Sequence, residues 1–272
     1  MDHISFIREI GTFRSGIHEP PSWLKLTTIT MVSSHLKDND CKLNLNRMKL
    51  FFKKARYVPI SFKGGSIEYK WRRFYSTFYN QVTIGYQDSL STKKVKIFPN
   101  GSLQIAGCRD ITDCQRFIKQ LNIIMKLVYN VEIPKQSFRI VMINSNFSLN
   151  HMINQNMVFS IFTTIKGVSV SFDPDRYSAV KLKFKPVKDG KTVTVSIFSS
   201  GSVIITGAQT LDEVCQAYIF LVSHMLNNMS KVYVGMVDDP KDFDYFMYYT
   251  YSEWFQKIIS DDNKNVIQTR NG

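Results

Sequence analysis

Residues 94–108 and 193–208 carry the same pattern of apolar and polar positions. In the first, Val95 and Ile97 alternate with Lys94, Lys96 and Phe98; after Gly101-Ser102 the alternation resumes, Leu103 and Ile105 against Gln104 and Ala106, up to Gly107. In the second, Val195 and Ile197 alternate with Thr194, Ser196 and Phe198, and after Gly201-Ser202 Val203 and Ile205 alternate with Ile204 and Thr206. A period of two is the spacing of a strand that buries one face, and a Gly-Ser pair between two such runs predicts a tight hairpin. Phe98, Gly101 and Gly107 recur as Phe198, Gly201 and Gly207, each a hundred residues on. A unit of that length is too large for a solenoid or propeller repeat, so the chain reads as a tandem duplication closed into one body.

The rest of the pattern fits this division. Residues 1–22 read as a partly ordered N-terminal arm that stops at the breaker Pro20-Pro21. The first repeat, 23–134, predicts a strand over 24–32, a helix over 43–52, strands over 79–86 and 94–98, the Gly101 hairpin, and a helix from near Asp110 to near Asn130. Phe117, Leu121, Ile124, Met125 and Val128 form the apolar stripe of that helix. About 53–77 is an insertion, with Gly64-Gly65 and the basic aromatic run Tyr69-Lys70-Trp71-Arg72-Arg73-Phe74-Tyr75. The second repeat, 135–235, predicts a strand over 138–143, a helix or loop across 150–165, strands over 177–185 and 192–198, the Gly201 hairpin, and a helix over 211–227. That helix opens on a capping box, Thr210 with Glu213 three residues on. Residues 236–272 have no counterpart in the repeat and interleave acids with aromatics.

The fold class is therefore α+β: a pseudo-two-fold duplication forming one antiparallel sheet with its helices on one side. The uniform apolar set Val95, Ile97, Leu103, Ile105 and Val195, Ile197, Val203, Ile205 belongs under the helices. Lys96, Phe98, Gln104 and Ala106 then face the other way, with Ser196, Phe198, Ile204 and Thr206. A sheet covered on one side leaves the other open, and function is expected there.

Composition changes this picture in one respect. The formal charge is +13, and residues 236–272 carry 4 Lys or Arg against 7 Asp or Glu, so the remainder is at +16. Such an excess favours a polyanionic partner, nucleic acid first and an acidic membrane surface second. The four cysteines, Cys41, Cys108, Cys114 and Cys215, form no CxxC pair, which favours reduced buried thiols over a disulfide framework. No stretch has the length and apolarity to span a bilayer, and the N-terminus lacks the run of a signal peptide. A soluble intracellular protein without membrane partner is expected.

One set of residues is more specific than these patterns. Asp173-Pro174-Asp175-Arg176-Tyr177-Ser178-Ala179-Val180, with Ile197-Phe198-Ser199-Ser200-Gly201 and Thr206-Gly207-Ala208, resembles the core repeat of the TATA-box-binding proteins. A looser copy stands in the first repeat: Cys41-Lys42-Leu43-Asn44-Leu45, Ile97-Phe98 with Gly101, and Gly107-Cys108-Arg109. Together the matches span about 24–230, and the divergent first repeat and inserted loop are most similar to the TATA-binding-protein-like factors of large DNA viruses. The resemblance implies a saddle, one curved sheet with helices on its convex face, whose concave face sits on the minor groove and kinks the duplex with aromatic wedges; the kink is a property of that family and not of any residue pattern here.

Carried over residue by residue, the wedges fall on Tyr79, Phe98, Tyr177 and Phe198. The family's paired groove Asn residues fall on Thr28 and Met142, and its paired Thr residues on Ala106 and Thr206. Gln104 and Ile204 complete the groove set, Lys183 and Arg109 match its basic positions, and Lys96 and Lys181 are further phosphate candidates. Minor-groove readout mainly separates A·T from G·C, so loss of the central amides predicts a looser preference than in a cellular TATA factor. The implied function is transcription initiation on AT-rich promoter DNA, without cofactor or metal, with RNA polymerase and TFIIB-like factors as partners, in the nucleus or a cytoplasmic viral factory. Monomer or saddle-to-saddle homodimer stays open.

Two rival classes stand against this reading. An enzyme finds no support: the five His (His3, His18, His35, His151, His224) lack metal spacing, and neither GxxxxGK[ST] nor GxSxG occurs. The alternative is a scaffold of the same fold that has lost specific DNA binding and recruits proteins through its helices, for which the changes at Thr28, Met142, Lys96 and Gln104 argue. The 236–272 extension reads as packed on the body, or as a tail that shields the basic face until DNA displaces it.

Overall fold

The computed structural model describes residue 1 and residues 3–33, 43–55, 60–62, 65–67, 80–87, 92–108, 111–131 and 138–241. Among them, six helices and thirteen strands follow in order: α1 (His3–Ser15), β1 (Lys25–Ser33), α2 (Leu45–Ala55), β2 (Ile60–Phe62), β3 (Gly65–Ile67), β4 (Val82–Gln87), β5 (Thr92–Ile97), β6 (Leu103–Cys108), α3 (Ile111–Tyr129), β7 (Phe138–Ser148), β8 (His151–Ile153), α4 (Gln155–Thr163), β9 (Ser169–Asp173), β10 (Tyr177–Phe184), β11 (Val193–Phe198), β12 (Ser202–Ala208), α5 (Leu211–Asn227), α6 (Met229–Val232) and β13 (Tyr233–Met236). β2 pairs only with β3, and β8 only with β13. No helix among the described residues is long and apolar enough to cross a membrane.

The other nine strands form one open antiparallel sheet in the order β4-β5-β6-β1-β7-β12-β11-β10-β9. This order is the duplication made visible. The halves β4-β5-β6-β1 and β7-β12-β11-β10 mirror each other about the central β1–β7 pair, and β9 is an added edge. Within β1–β7 the register Thr28↔Asn144 and Thr30↔Met142 interchanges under that two-fold, as does Lys25↔Asn146 with Val32↔Arg139. The two shifts of register are related in the same way, one between Leu26 and Thr28, the other opposite Val141. Each has a side-chain brace: Thr27 Oγ1 donates to the Asn144 carbonyl at 3.1 Å, and Gln209 Nε2 to the Val141 carbonyl at 3.3 Å.

The alternation seen in the sequence sorts the faces. Val82, Ile84, Val95, Ile97, Leu103, Ile105, Ile143, Phe147, Val180, Leu182, Val193, Val195, Ile197, Val203 and Ile205 are all buried, and they join α3 and α5 residues such as Phe117, Leu121, Met125, Val214, Tyr218 and Leu221 in one core. Burial of this kind contributes about 1.5–3 kcal/mol for each large apolar side chain, which is what holds the helices against the sheet.

The helix ends repeat as well. Asn154 Oδ1 accepts from the Met157 backbone N–H to cap α4, and Asn44 Oδ1 accepts from the N–H groups of Asn46 and Arg47 ahead of α2. Next to these caps the Leu43 N–H donates to the Pro99 carbonyl and the Ile153 N–H to the Ser199 carbonyl, so each short helix is tied to the hairpin of its own half. The capping box of α5 forms as expected. Glu213 does more than cap: its carboxylate accepts from the backbone N–H groups of Lys191 at 2.6 Å, Gln209 at 2.6 Å and Thr210 at 3.2 Å, joining the β10–β11 loop to the start of α5.

Three parts differ from the sequence reading. The N-terminal segment is not a loose arm: α1 packs Phe6, Ile10 and Phe13 on the helix layer, Gln216 of α5 donates to Glu9 at 2.8 Å, and Arg14 Nε donates to the Pro21 carbonyl with its guanidinium 4.4 Å over Trp23. The 150–165 segment, open between helix and loop, is β8 followed by α4. β7 runs to Ser148, five residues past the expected strand end. The start of the 53–77 insertion lies in α2, and the Tyr69–Tyr75 run, Cys41 and everything after Lys241 lie outside the described residues.

Candidate nucleic-acid interface

The face of the sheet opposite the core is lined by half-exposed and exposed side chains among the described residues. Thr83, Lys94, Lys96 and Phe98, then Gln104 and Ala106, come from the first half, with Thr28 and Val32 on β1. From the second come Met142, Asn144 and Asn146 on β7, Ile204 and Thr206 on β12, Thr194 and Phe198 on β11, and Tyr177, Lys181 and Lys183 on β10. Thr30 and Ser196 point the same way but are covered by their neighbours.

At the outer corner of the second half, Tyr177 and Phe198 meet edge to face with ring centroids 5.8 Å apart. Tyr177 is 39% exposed, and Lys181 Nζ stands 3.9 Å over its ring. Two aromatic rings on the rim of an open sheet, with an ammonium over one of them, bring together the groups that stack on a base and neutralise a phosphate.

The backbone holds this corner. Gln155, at the start of α4, donates from Nε2 to the carbonyls of Ser178 at 2.8 Å and Ile197 at 3.0 Å, the residues next to Tyr177 and Phe198. The Phe198–Gly201 turn closes by a Gly201 N–H to Phe198 carbonyl bond of 3.0 Å, with Gly201 at φ +79°; a Cβ there would run into the His151 carbonyl. The Phe98–Gly101 turn has the same bond at 3.0 Å and Gly101 at φ +75°.

Of the expected site residues, Phe98, Tyr177 and Phe198 share this face, as do Thr28, Met142, Gln104, Ala106, Ile204 and Thr206 in its floor and Lys96, Lys181 and Lys183 toward its sides. Tyr79 and Arg109 lie outside the described residues. Thr28 and Met142 do not face each other; Thr28 lies opposite Asn144 and Met142 opposite Thr30.

Sequence reasoning passed over five residues of the same face: Lys25, Lys94, Arg139, Asn144 and Asn146. The signal for three of them was available, since Lys94 is two positions from Lys96, and Asn144 and Asn146 are two and four from Met142, all of one parity on their strands. Asn144 and Asn146 are notable for their oxygens: each Oδ1 is buried without a hydrogen-bond partner in the protein. A buried amide oxygen left unpaired costs about 1–3 kcal/mol, so these two groups hold unused hydrogen-bonding capacity in the floor of the face.

Residues 137–228 match a family model described as transcription factor TFIID, or TATA-binding protein, TBP. The chain resembles the TATA-box-binding proteins. The match covers the second repeat, the half whose corner, turn and capping box are described above. A TATA-box-binding protein-like protein of Acanthamoeba polyphaga mimivirus is 27% identical over 243 residues, 73% of this chain and 64% of that protein. TATA-box-binding protein 2 of Methanosarcina mazei is 25% identical over 138 residues, 49% of this chain and 68% of that protein. Among solved structures, Methanococcus jannaschii TBP aligns with a TM-score of 0.49 at 17% identity, over 75% of this chain and 98% of that one. The family description is of a transcription factor and not of an enzyme. No group of three or more His, Cys, Asp or Glu among the described residues could hold a metal ion.

Away from this face, burial shifts Cys215 and Tyr233. Burial pushes the Cys215 thiol up to about 12, with the Glu9 and Asp212 carboxylates adding to the effect. Such a thiol is neutral and a poor nucleophile. Burial also pushes the Tyr233 phenol up to about 12, where its ring stacks on His151 at 4.2 Å.

Proposed function

We propose that this chain is a transcription initiation factor whose open sheet face binds double-stranded DNA in the minor groove and kinks it. Phe98 with Tyr79, and Phe198 with Tyr177, are the wedges in this reading. Thr28, Met142, Gln104, Ala106, Ile204 and Thr206 line the groove, and Lys96, Arg109, Lys181 and Lys183 take phosphates. AT-rich promoter DNA, RNA polymerase and a TFIIB-like factor are the partners, at the site of transcription.

The observation that carries the proposal is the corner made by Tyr177, Phe198 and Lys181. Two rings held at the rim of a cationic face by Gln155 and a tight turn have no use in a core that is already complete beneath the sheet.

Changing Phe98 and Phe198 together to Ala tests it. Base–aromatic stacking contributes about 1–3 kcal/mol per ring, so the double variant should bind a duplex at least about thirty-fold more weakly while keeping its melting temperature within a few degrees. A variant that keeps wild-type duplex affinity would leave the protein-binding scaffold as the function of this fold.

A further inference from the structure

Compared residue by residue, the two halves of the open face look poorly matched. Lys96 corresponds to Ser196, Lys94 to Thr194, and Gln104 to Ile204, so at like positions the second half lacks the charge and the amide. The strand register reverses this conclusion. Lys96 of β5 lies opposite Thr83 of β4, and the equivalent pair in the second half is Ser196 of β11 opposite Lys181 of β10. Lys94 lies opposite Gly85, and the equivalent pair is Thr194 opposite Lys183.

The amides behave alike. Gln104 of β6 lies opposite Val32 of β1, and the equivalent pair is Ile204 of β12 opposite Asn146 of β7. Each of the three pairs keeps one lysine or one amide, carried on the other strand. The central cations keep their strands: Lys25 opposite Asn146 is matched by Arg139 opposite Val32.

We infer that the open face recognises its ligand through these cross-strand pairs, in two sets related by the two-fold, each with two lysines, one amide and a central cation contributed from across the β1–β7 pair: Lys94, Lys96 and Gln104 with Arg139 of β7, and Lys183, Lys181 and Asn146 with Lys25 of β1. The inference rests on the DNA-binding reading above and adds to it Lys25, Lys94, Arg139 and Asn146.

Geometry makes the exchange inexpensive. Neighbouring strands lie about 4.8 Å apart and opposed Cβ atoms about 5 Å. That displacement is within the sweep of a lysine's four-carbon stem, and an ammonium satisfies a phosphate as a point charge without fixed orientation. A ligand with two equivalent, oppositely running anionic strands meets the same pattern on both sides, and a duplex is such a ligand. Asn146 brings a buried, unpartnered Oδ1 to its pair. Gln104 reaches the groove floor from the opposite half.

Exchanging a pair tests the inference where single removals cannot. In the first half, Lys96→Thr is compared with Lys96→Thr plus Thr83→Lys; in the second, Lys183→Thr with Lys183→Thr plus Thr194→Lys. These four positions are half-exposed or exposed, and melting temperatures report whether each variant is folded.

Affinity for a labelled AT-rich duplex is measured between 50 and 200 mM salt. Each single variant should lower the salt slope by about 0.9, an approximately three-fold smaller affinity change over that range, and each exchange should restore the wild-type slope with affinity within about two-fold. Exchanges no better than the single removals, or single removals without effect on a wild type that binds, overturn the inference and leave the DNA-binding reading standing. A wild type that binds no duplex, or binds one equally well after Phe98 and Phe198 are changed to Ala, overturns both.

Discussion

The salt dependence of duplex binding can be worked out from the open face. Six cationic side chains on the described strands of the sheet point to it: Lys25, Lys94, Lys96, Arg139, Lys181 and Lys183. If each neutralises one phosphate, the slope of log affinity on log salt is about −5.4, and raising salt from 50 to 200 mM weakens binding by roughly 2000-fold. Removing Lys96 and Lys183 together, one from each half, reduces the slope to about −3.6 and the loss over the same range to roughly 150-fold. The variant is therefore weaker than wild type at 50 mM and nearly equal to it at high salt.

Fluorescence anisotropy on a 30-base-pair duplex across that salt range reads both quantities. A contact made only by aromatic rings would leave the slope unchanged. A slope near zero in the wild type would refute the assignment of this face to a polyanion, and a double variant whose slope matches the wild type would refute the phosphate roles of Lys96 and Lys183.

Three further outcomes follow from the fold. Gly201→Ala must place a side chain at φ +79° against the His151 carbonyl, and should lower stability by about 2 kcal/mol or more, seen as a melting-temperature drop of about 4–8 °C with weakened duplex binding through Phe198; an unchanged melting temperature would contradict the turn geometry. Glu213→Ala leaves three backbone N–H groups without their carboxylate and should cost about 3–5 kcal/mol in denaturant unfolding, whereas an exposed-surface effect below about 0.5 kcal/mol would show that the carboxylate does not bridge the loop and α5. The Cys215 thiol is pushed up, so the folded state holds its proton more tightly than the unfolded one; that stability is fully present below the unfolded thiol's value near 9 and is lost as pH rises toward about 12. Cys215→Ala should flatten that alkaline decline, and in the native protein the thiol should resist alkylation at pH 8 until denaturant is added.

Most of the sheet could be read from period-two alternation because its strands bury one face against a continuous helix layer. Val95 to Ile97 and Val193 to Ile197 leave no other way to hide their apolar set. The α5 cap was legible because a capping box is a local chemical fact. α1 was missed although Phe6, Ile10 and Phe13 have helical spacing, since what orders it is distant: α5, Trp23 and the Pro21 carbonyl. β8 and β13 are three and four residues long, too short for a period to register.

The candidate site divides in the same way. Phe98 and Phe198 stood out because the duplication repeats them at one offset, and Tyr177 because it sits in the segment with the sharpest family likeness. The lysines and amides that exchange strands were invisible to any comparison of like positions, because their equivalence exists only across a pair of strands. Seen one strand at a time, Ser196 and Ile204 are losses; seen across the register, Lys181 and Asn146 replace them.

The central claim is that this face kinks double-stranded DNA, and the most direct measurement is fluorescence energy transfer between the two ends of an AT-rich duplex titrated with the protein. The account predicts that transfer rises as the protein saturates, that the rise is smaller on a GC-rich duplex of equal length, and that it disappears with Phe98→Ala and Phe198→Ala. A duplex that becomes saturated while its end-to-end distance stays that of free DNA would contradict it.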